Sequence, residues 1–362
     1  MLRAMPLFLL TCIITVSCSP RYVIDHSRPT RPVDLPKDDA AHYSAQTEWW
    51  YYTGHLRADD GAEYGFEVTF FKHLTSEDRV PGCLLNIPAH WIKEVGMLGH
   101  FAVTDLEKKK FKAVQINNIA RRWKADPDRL NVCINGWSLV GNGGSYLLKA
   151  SMCGYAVDLK LTPAKPAALN GPGGILGKGV GANYYYSYTN MNVEGTMKAG
   201  GKKKTVTGKA WMDHEYGTMG LLTSQIGWDW FSFQMDNNTE LMLYLIKDTQ
   251  RVAAQSGGSF VGVDGKTTWL ALTDFNITVT NTWTSPRTKA VYPSEWTITV
   301  KPLNLRLQVK PVMADQELTL IPVTYWEGAV IVEGIAGGKP VAGKGYIELV
   351  GYDKKRSFDS FR

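Results

Sequence analysis

The chain has 362 residues, 44% of them hydrophobic, which supplies ample material for large cores and is about twice the usual length of a single domain. Its 40 basic and 34 acidic residues leave a formal charge of +6. The lysines nevertheless fall in short runs beside turn residues, Lys108-Lys109-Lys110 after Asp105 and Glu107 and Lys202-Lys203-Lys204 after Gly200-Gly201, so solvated hairpins are expected and nucleic-acid binding is not.

The amino terminus reads as an export signal. Arg3 is a short basic start, residues 7–16 form an apolar run too short to span a bilayer, and Ser17-Cys18 is a small-residue exit. Cys18 looks like the lipidated cysteine of a bacterial lipoprotein, although Thr15 stands where such signals carry Leu, Val or Ile. The expectation is a signal over residues 1–18, a polar, proline-bearing tether over 19–40, and an anchor at Cys18 in the outer membrane facing the periplasm. Cleavage after Val16-Ser17-Cys18, giving a soluble secreted chain, is the alternative. With Cys12 and Cys18 assigned to the signal, Cys83, Cys133 and Cys153 remain. Cys133 and Cys153 flank the hairpin signal Gly141-Asn142-Gly143-Gly144, so a structural pair or buried thiols are expected rather than a metal or redox site.

From there on the chain reads as strands. Residues 63–70 (EYGFEVTF), 155–161 (YAVDLKL) and 275–279 (FNITV) alternate apolar and polar side chains. Asp59-Asp60-Gly61, Asn142-Gly143-Gly144, Asp236-Asn237-Asn238, Asp264-Gly265 and Gly337-Gly338 supply the turns. This pattern predicts an all-β fold of sandwich or barrel type. A glycine- and proline-rich break spans residues 163–181. The main boundary is placed at 217–221, giving an N-terminal domain over 41–220 and a C-terminal domain over 221–362.

Three segments combine aromatics with ionisable groups: residues 47–55 (TEWWYYTGH), 210–217 (AWMDHEYG) and 227–233 (GWDWFSF). Alternation along a strand puts Glu48, Trp50 and Tyr52 on one face and Trp49, Tyr51 and His55 on the other. It likewise places Trp211, Asp213 and Glu215 together, opposite Met212, His214 and Tyr216. Carboxyl groups paired against aromatic walls acquire raised pKa values and can act as general acids, and aromatic faces stabilise a developing carbocation. The competing reading is structural, with the same carboxylates accepting bonds from indole or amide donors between barrel layers. His214-Glu215 lacks the second histidine of HExxH, and His26, His42, His55, His73, His90 and His100 show no tight ligand spacing, so no metal is expected. There is no GxSxG nucleophile elbow.

At these segments the chain resembles the family of AttH-domain proteins and carotenoid 1,2-hydratases. The resemblance is carried by residues 47–51 (TEWWY), 101–105 (FAVTD), 184–187 (YYYS), 208–215 (GKAWMDHE), 227–230 (GWDW), 292–296 (YPSEW), 315–317 (DQE) and 325–328 (YWEG). It implies two joined lipocalin-like, calycin-type antiparallel β-barrel halves, and hydratases of the family add water across a terminal isoprenoid double bond. Asp213 matches the hydratase pattern, whereas Trp211 stands at its tyrosine and Glu215 at its asparagine. The upstream His-x-Trp pair falls at Tyr184 and Tyr186.

The leading expectation is therefore an exported lipoprotein that binds an apolar isoprenoid, polyketide or lipid without a cofactor. The aromatic-lined pocket is expected from Glu48, Trp50, Tyr52, Tyr184, Tyr186, Trp211, Trp228, Trp230, Tyr325, Trp326 and Glu327. Acid catalysis falls to Asp213, assisted by Glu215 and His214. A hydratase or isomerase using the same pocket is the rival, and an accessory role beside an export system, implied by the resemblance, is the third reading.

Overall fold

A computed structural model describes residues 21–80, 87–118, 122–177, 182–218, 225–248, 256–320 and 323–353. Cys12, Cys18, Cys83 and the whole expected signal lie outside them, as does part of the segment around 217–221.

The alternating segments form strands throughout. One antiparallel sheet of thirteen strands is built from the first part of the chain. Within it Thr47–Ala58 is flanked by Glu63–Leu74 and by Lys202–Gly217, the last of which pairs onward with Asn183–Ala199. A second antiparallel sheet of ten strands has Gln225–Met235, Lys339–Val350 and Thr324–Ala336 at its centre. Both sheets curl into half-barrels. Gly200 and Gly201 take φ of +59° and +85°, which lets the hairpin turn tightly and leaves Lys202 and Lys203 in solvent.

Side-chain alternation divides the molecule into three apolar layers. Trp50, Tyr52, Phe66, Val68, Phe101, Leu148 and Met212 pack inside the first half-barrel. Phe231, Phe233, Trp296, Leu307, Trp326 and Ile347 fill the second. Between the sheets lies a third cluster, with Tyr51, Tyr185 and Trp211 meeting Trp230, Tyr244, Ala329 and Tyr346. The halves are also clasped by Lys165, whose ammonium lies 2.8 Å from the Glu240 carboxylate, itself bonded by Asn190. A register slip between Tyr188 and Met191 accommodates Thr189 and Asn190, which reach across to Glu240.

Three expectations meet these facts directly. The Cys133–Cys153 pair is not formed. Cys133 is half-buried opposite Lys124 and Ser138, Cys153 is exposed in a turn, and both are free. Within the expected tether, Asp38 and Asp39 are buried in a short 3-10 helix, Lys37–Asp39. The 163–181 break carries two short strands, Ala168–Leu169 and Ile175–Leu176, that pair with Asn183–Ala199.

Candidate functional site

The antiparallel register places residues from several strands in rows on the face of the first sheet that meets the second. Asp213, Tyr51, Thr69 and His100 form one row. Trp211, Thr53, Glu67 and Ala102 form the next, and Glu215, Trp49, Phe71 and Leu98 the row on the other side. Facing them, the second sheet sets Glu327 opposite Glu348, Glu348 beside Trp230, and Trp230 beside Tyr244. Two strand faces that would each be ordinary polar surfaces alone thus enclose a set of carboxyl groups between aromatic rings.

Asp213 is the most heavily bonded of these. Its Oδ1 accepts from Ser187 Oγ at 2.5 Å and from Trp211 Nε1 at 2.7 Å, and its Oδ2 accepts from the Tyr185 hydroxyl at 2.6 Å. Trp230 Nε1 donates in turn to the Tyr185 oxygen at 3.2 Å. Burial pushes Asp213 up to about 6, while the three donors hold its ionised form. Its neighbours are shifted further. Burial carries Glu67 up to about 8 against the pull of a Thr69 hydroxyl bond, with Glu348 adding to the rise. Burial also takes Glu215 to about 8, with Asn183 opposing and Asp213 reinforcing. Glu327 lies well above the carboxylate range through burial, Glu348 and Glu67, and accepts a bond from the Tyr51 hydroxyl. Burial brings Glu348 to about 7, with Trp228 Nε1 holding one oxygen at 2.9 Å. Near neutral pH the site therefore sets Asp213, which ionises first, beside Glu67, Glu215 and Glu327, which burial favours in their protonated form, with Glu348 close to its midpoint.

Glu67, Glu327 and Asp213 are at most 4% exposed, but Glu348 and Trp228 keep part of their surface open. Phe71 and Leu98 line a hollow of about 190 Å³ with His73, Lys93 and Met97. Phe71 packs on His100 at 5.0 Å and on Trp49 at 6.4 Å; the hollow lies over the strands Glu63–Leu74 and Val95–Asp105, and Asp213, Glu327 and Glu348 are not among its lining residues.

The opposite face of the same strands holds a separate polar cluster. Glu48 Oε1 lies 2.8 Å from His42 Nδ1 and 2.9 Å from His214 Nε2. Lys72 stands 3.4 Å from Glu48 Oε2. Burial raises Glu48, but Lys72 and the two histidines outweigh it and hold the carboxylate well below its usual range.

The sequence matches the AttH-like family profile over residues 26–352. The chain belongs to the AttH-like family. Among solved structures, a protein assigned as AttH from Nitrosomonas europaea is similar at 28% identity and a TM-score of 0.79, over 91% of this chain and 100% of that one. Kievitone hydratase from Nectria haematococca is similar at 15% identity and a TM-score of 0.71, over 91% and 98% of the two chains. CghA, solved with Sch210972, shows 10% identity and a TM-score of 0.54, over 92% and 96%. No curated protein matches the chain. These likenesses fit the expected pair of lipocalin-like halves.

In this AttH-like chain the expected site residues separate into groups. Asp213, Glu215, Trp211, Trp228, Trp230, Tyr325 and Glu327 come together between the sheets, where the Tyr325 hydroxyl meets His100 Nδ1 at 2.7 Å. His214 does not join Asp213: it points through the other face of the strand to Glu48. Trp50, Tyr52 and Tyr186 pack in the first core and Trp326 in the second, so the half-barrel interiors are filled by side chains rather than shaped as ligand walls. Tyr184 stacks on Tyr216 at 4.9 Å. Glu67 and Glu348, the residues missed in the sequence, sit in alternating strands where a glutamate reads as solvent-facing. Their only sequence signal is the apolar residue on either side of each, Phe66 and Val68, Ile347 and Leu349.

Proposed function

We propose that this AttH-like protein is an acid–base catalyst that adds water to, or shifts, a carbon–carbon double bond of an apolar molecule, using side chains as both acid and base. The observation that carries this reading is the placement of Asp213, kept ionised by three donors, beside glutamic acids kept protonated by burial. Glu348, the partly open member, gives its proton to one alkene carbon. The Asp213 carboxylate takes a proton from water as the water oxygen bonds the other carbon. The proton gained by Asp213 then returns to Glu348, so the pair is restored with one water consumed. Tyr51, Trp230 and Tyr185, packed between the sheets, supply aromatic faces that stabilise a cationic carbon. The fold shared with kievitone hydratase makes hydration the first form of the reaction to test. The anchor expected at Cys18 would keep the site at a membrane, where apolar molecules partition.

Two measurements test this. Infrared spectra of the full chain near neutral pH should show a carboxylic-acid C=O band that weakens in Glu348→Gln and Glu67→Gln. A spectrum with every carboxyl ionised would remove the acid. Incubation with farnesol and prenylated phenols in D2O should then yield a product heavier by one D2O, with deuterium on carbon, for wild type and not for Asp213→Asn. Substrates recovered unchanged, but retained by the protein on extraction, would point to carriage instead.

A further inference from the structure

His214 and Glu48 are prominent in the sequence, yet the site between the sheets uses neither. We propose that they form, with His42, a binding site for a divalent first-row transition ion of the Zn2+ type. One ligand atom from each of the three lies within 4.8 Å of the others, and Glu48 Oε1 stands 2.8 Å from His42 Nδ1 and 2.9 Å from His214 Nε2. A tetrahedral Zn2+ with bonds of about 2.0–2.2 Å needs its ligand atoms about 3.3 Å apart, so side-chain shifts of roughly half an ångström make room for it. Two imidazoles and one carboxylate suit Zn2+, Fe2+ or Ni2+ rather than Mg2+ or Ca2+, and a fourth position is left for water.

The surroundings of both histidines select the ligating nitrogen. The Tyr186 hydroxyl donates to Asp39, so its oxygen accepts from the His214 Nδ1–H at 2.9 Å, and Nε2, which donates to Glu48 at 2.9 Å without an ion, is the nitrogen that gives up its proton to a metal. His42 turns Nε2 toward Asp38 Oδ1 at 3.6 Å and presents Nδ1 to the same Glu48 oxygen. Arg31 fixes Asp38 through two bonds of 2.6 Å. Each imidazole thus has a carboxylate behind it, directly for His42 and through Tyr186 for His214, the arrangement that orients metal-binding histidines. Lys72 neutralises Glu48 from its other oxygen while held by the carbonyls of His42 and Ala45. The ion would pin the segment bearing His42 to the strands Thr47–Ala58 and Lys202–Gly217. The site lies on the far face of the sheet from Asp213 and stands independently of the proposed catalysis.

Calorimetric titration of the chelator-treated full chain with ZnCl2 should show one ion per chain, with no competition from MgCl2. Co2+ as probe should give visible bands of a low-coordinate site, lost on adding Zn2+. His42→Ala, at the part-exposed ligand, should lose more affinity than the about 10–100-fold expected for Tyr186→Phe. Lys72→Met, which removes the adjacent positive charge, should tighten binding, and Zn2+ should raise the Tm of wild type but not of His42→Ala. The proposal is overturned if folded wild-type protein takes up no Zn2+ and gives no Co2+ bands, or if His42→Ala and Tyr186→Phe bind as wild type does.

Discussion

Glu327 and Glu348 stand directly opposite one another on adjacent antiparallel strands, with their side chains on the same face of the second sheet. Like charges are least tolerated in that position, and Glu67 of the first sheet adds a further carboxyl to the pair. The arrangement persists because burial keeps protons on the group, which stores acid where an ordinary salt-bridged surface would store charge.

This has a consequence for stability. The unfolded chain releases the Glu67 proton near 4.5, whereas burial, opposed by Thr69 and aided by Glu348, delays release in the folded chain to about 8. A raised folded-state value favours folding at low pH, so stability should fall as pH rises between those two values and then level off. Glu67→Gln should flatten that slope, by an amount on the order of a few kcal/mol near pH 8. Urea denaturation of both proteins at several pH values measures it. Equal slopes would show that Glu67 does not hold its proton in the fold.

Activity should carry the complementary signature. Glu348 must be protonated to act as the acid, and burial against the Trp228 bond places its loss of a proton at about 7. Turnover should decline as pH rises through that value, and Glu348→Gln should lower kcat by about 10²–10⁴-fold while abolishing the decline. An unchanged alkaline limb in the variant would assign the acid to another group.

Asp213 separates chemistry from packing. Asp213→Asn keeps an oxygen for Ser187 Oγ and Trp211 Nε1 but turns its amide nitrogen to the Tyr185 hydroxyl, so Tm should fall less than in Asp213→Ala while turnover is lost. Asp213→Ala leaves three buried donors without an acceptor, and each costs about 1–3 kcal/mol. Turnover and Tm measured on the same preparations distinguish the two effects. Full activity in Asp213→Asn would exclude it as the base.

Gly65 sits where the two sheets meet. A Cβ there would lie 2.5 Å from the Tyr346 hydroxyl and 3.0 Å from Ala329 Cβ on the other sheet. Gly65→Leu should therefore destabilise by about 1–3 kcal/mol through overpacking. Because it spreads the sheets at the site, it should also lower turnover more than a comparably destabilising change in either half-barrel core.

Anchorage is tested at the amino terminus. Cys18→Ala should abolish incorporation of labelled fatty acid and release the protein from membranes. Labelling at the wild-type level would assign the lipid elsewhere or favour plain secretion.

Alternation in residues such as 63–70 and 155–161 determined strands, because a period of two sends successive side chains to opposite faces whatever the rest of the chain does. The same rule already separated Asp213 from His214 and joined Asp213 to Trp211 and Glu215. Local sequence could not determine what each face would meet. Glu67 and Glu348 occupy positions that are solvent-facing in an isolated amphipathic strand, and only the packing of one sheet on the other removes water from them and keeps their protons. His42 and Glu48 likewise lie in the chain far from His214 without metal-site spacing, and it is the pairing of Thr47–Ala58 with Lys202–Gly217 that brings Glu48 to His214. Local periodicity is written residue by residue, whereas burial and the shifts that follow from it are properties of the assembled sheets.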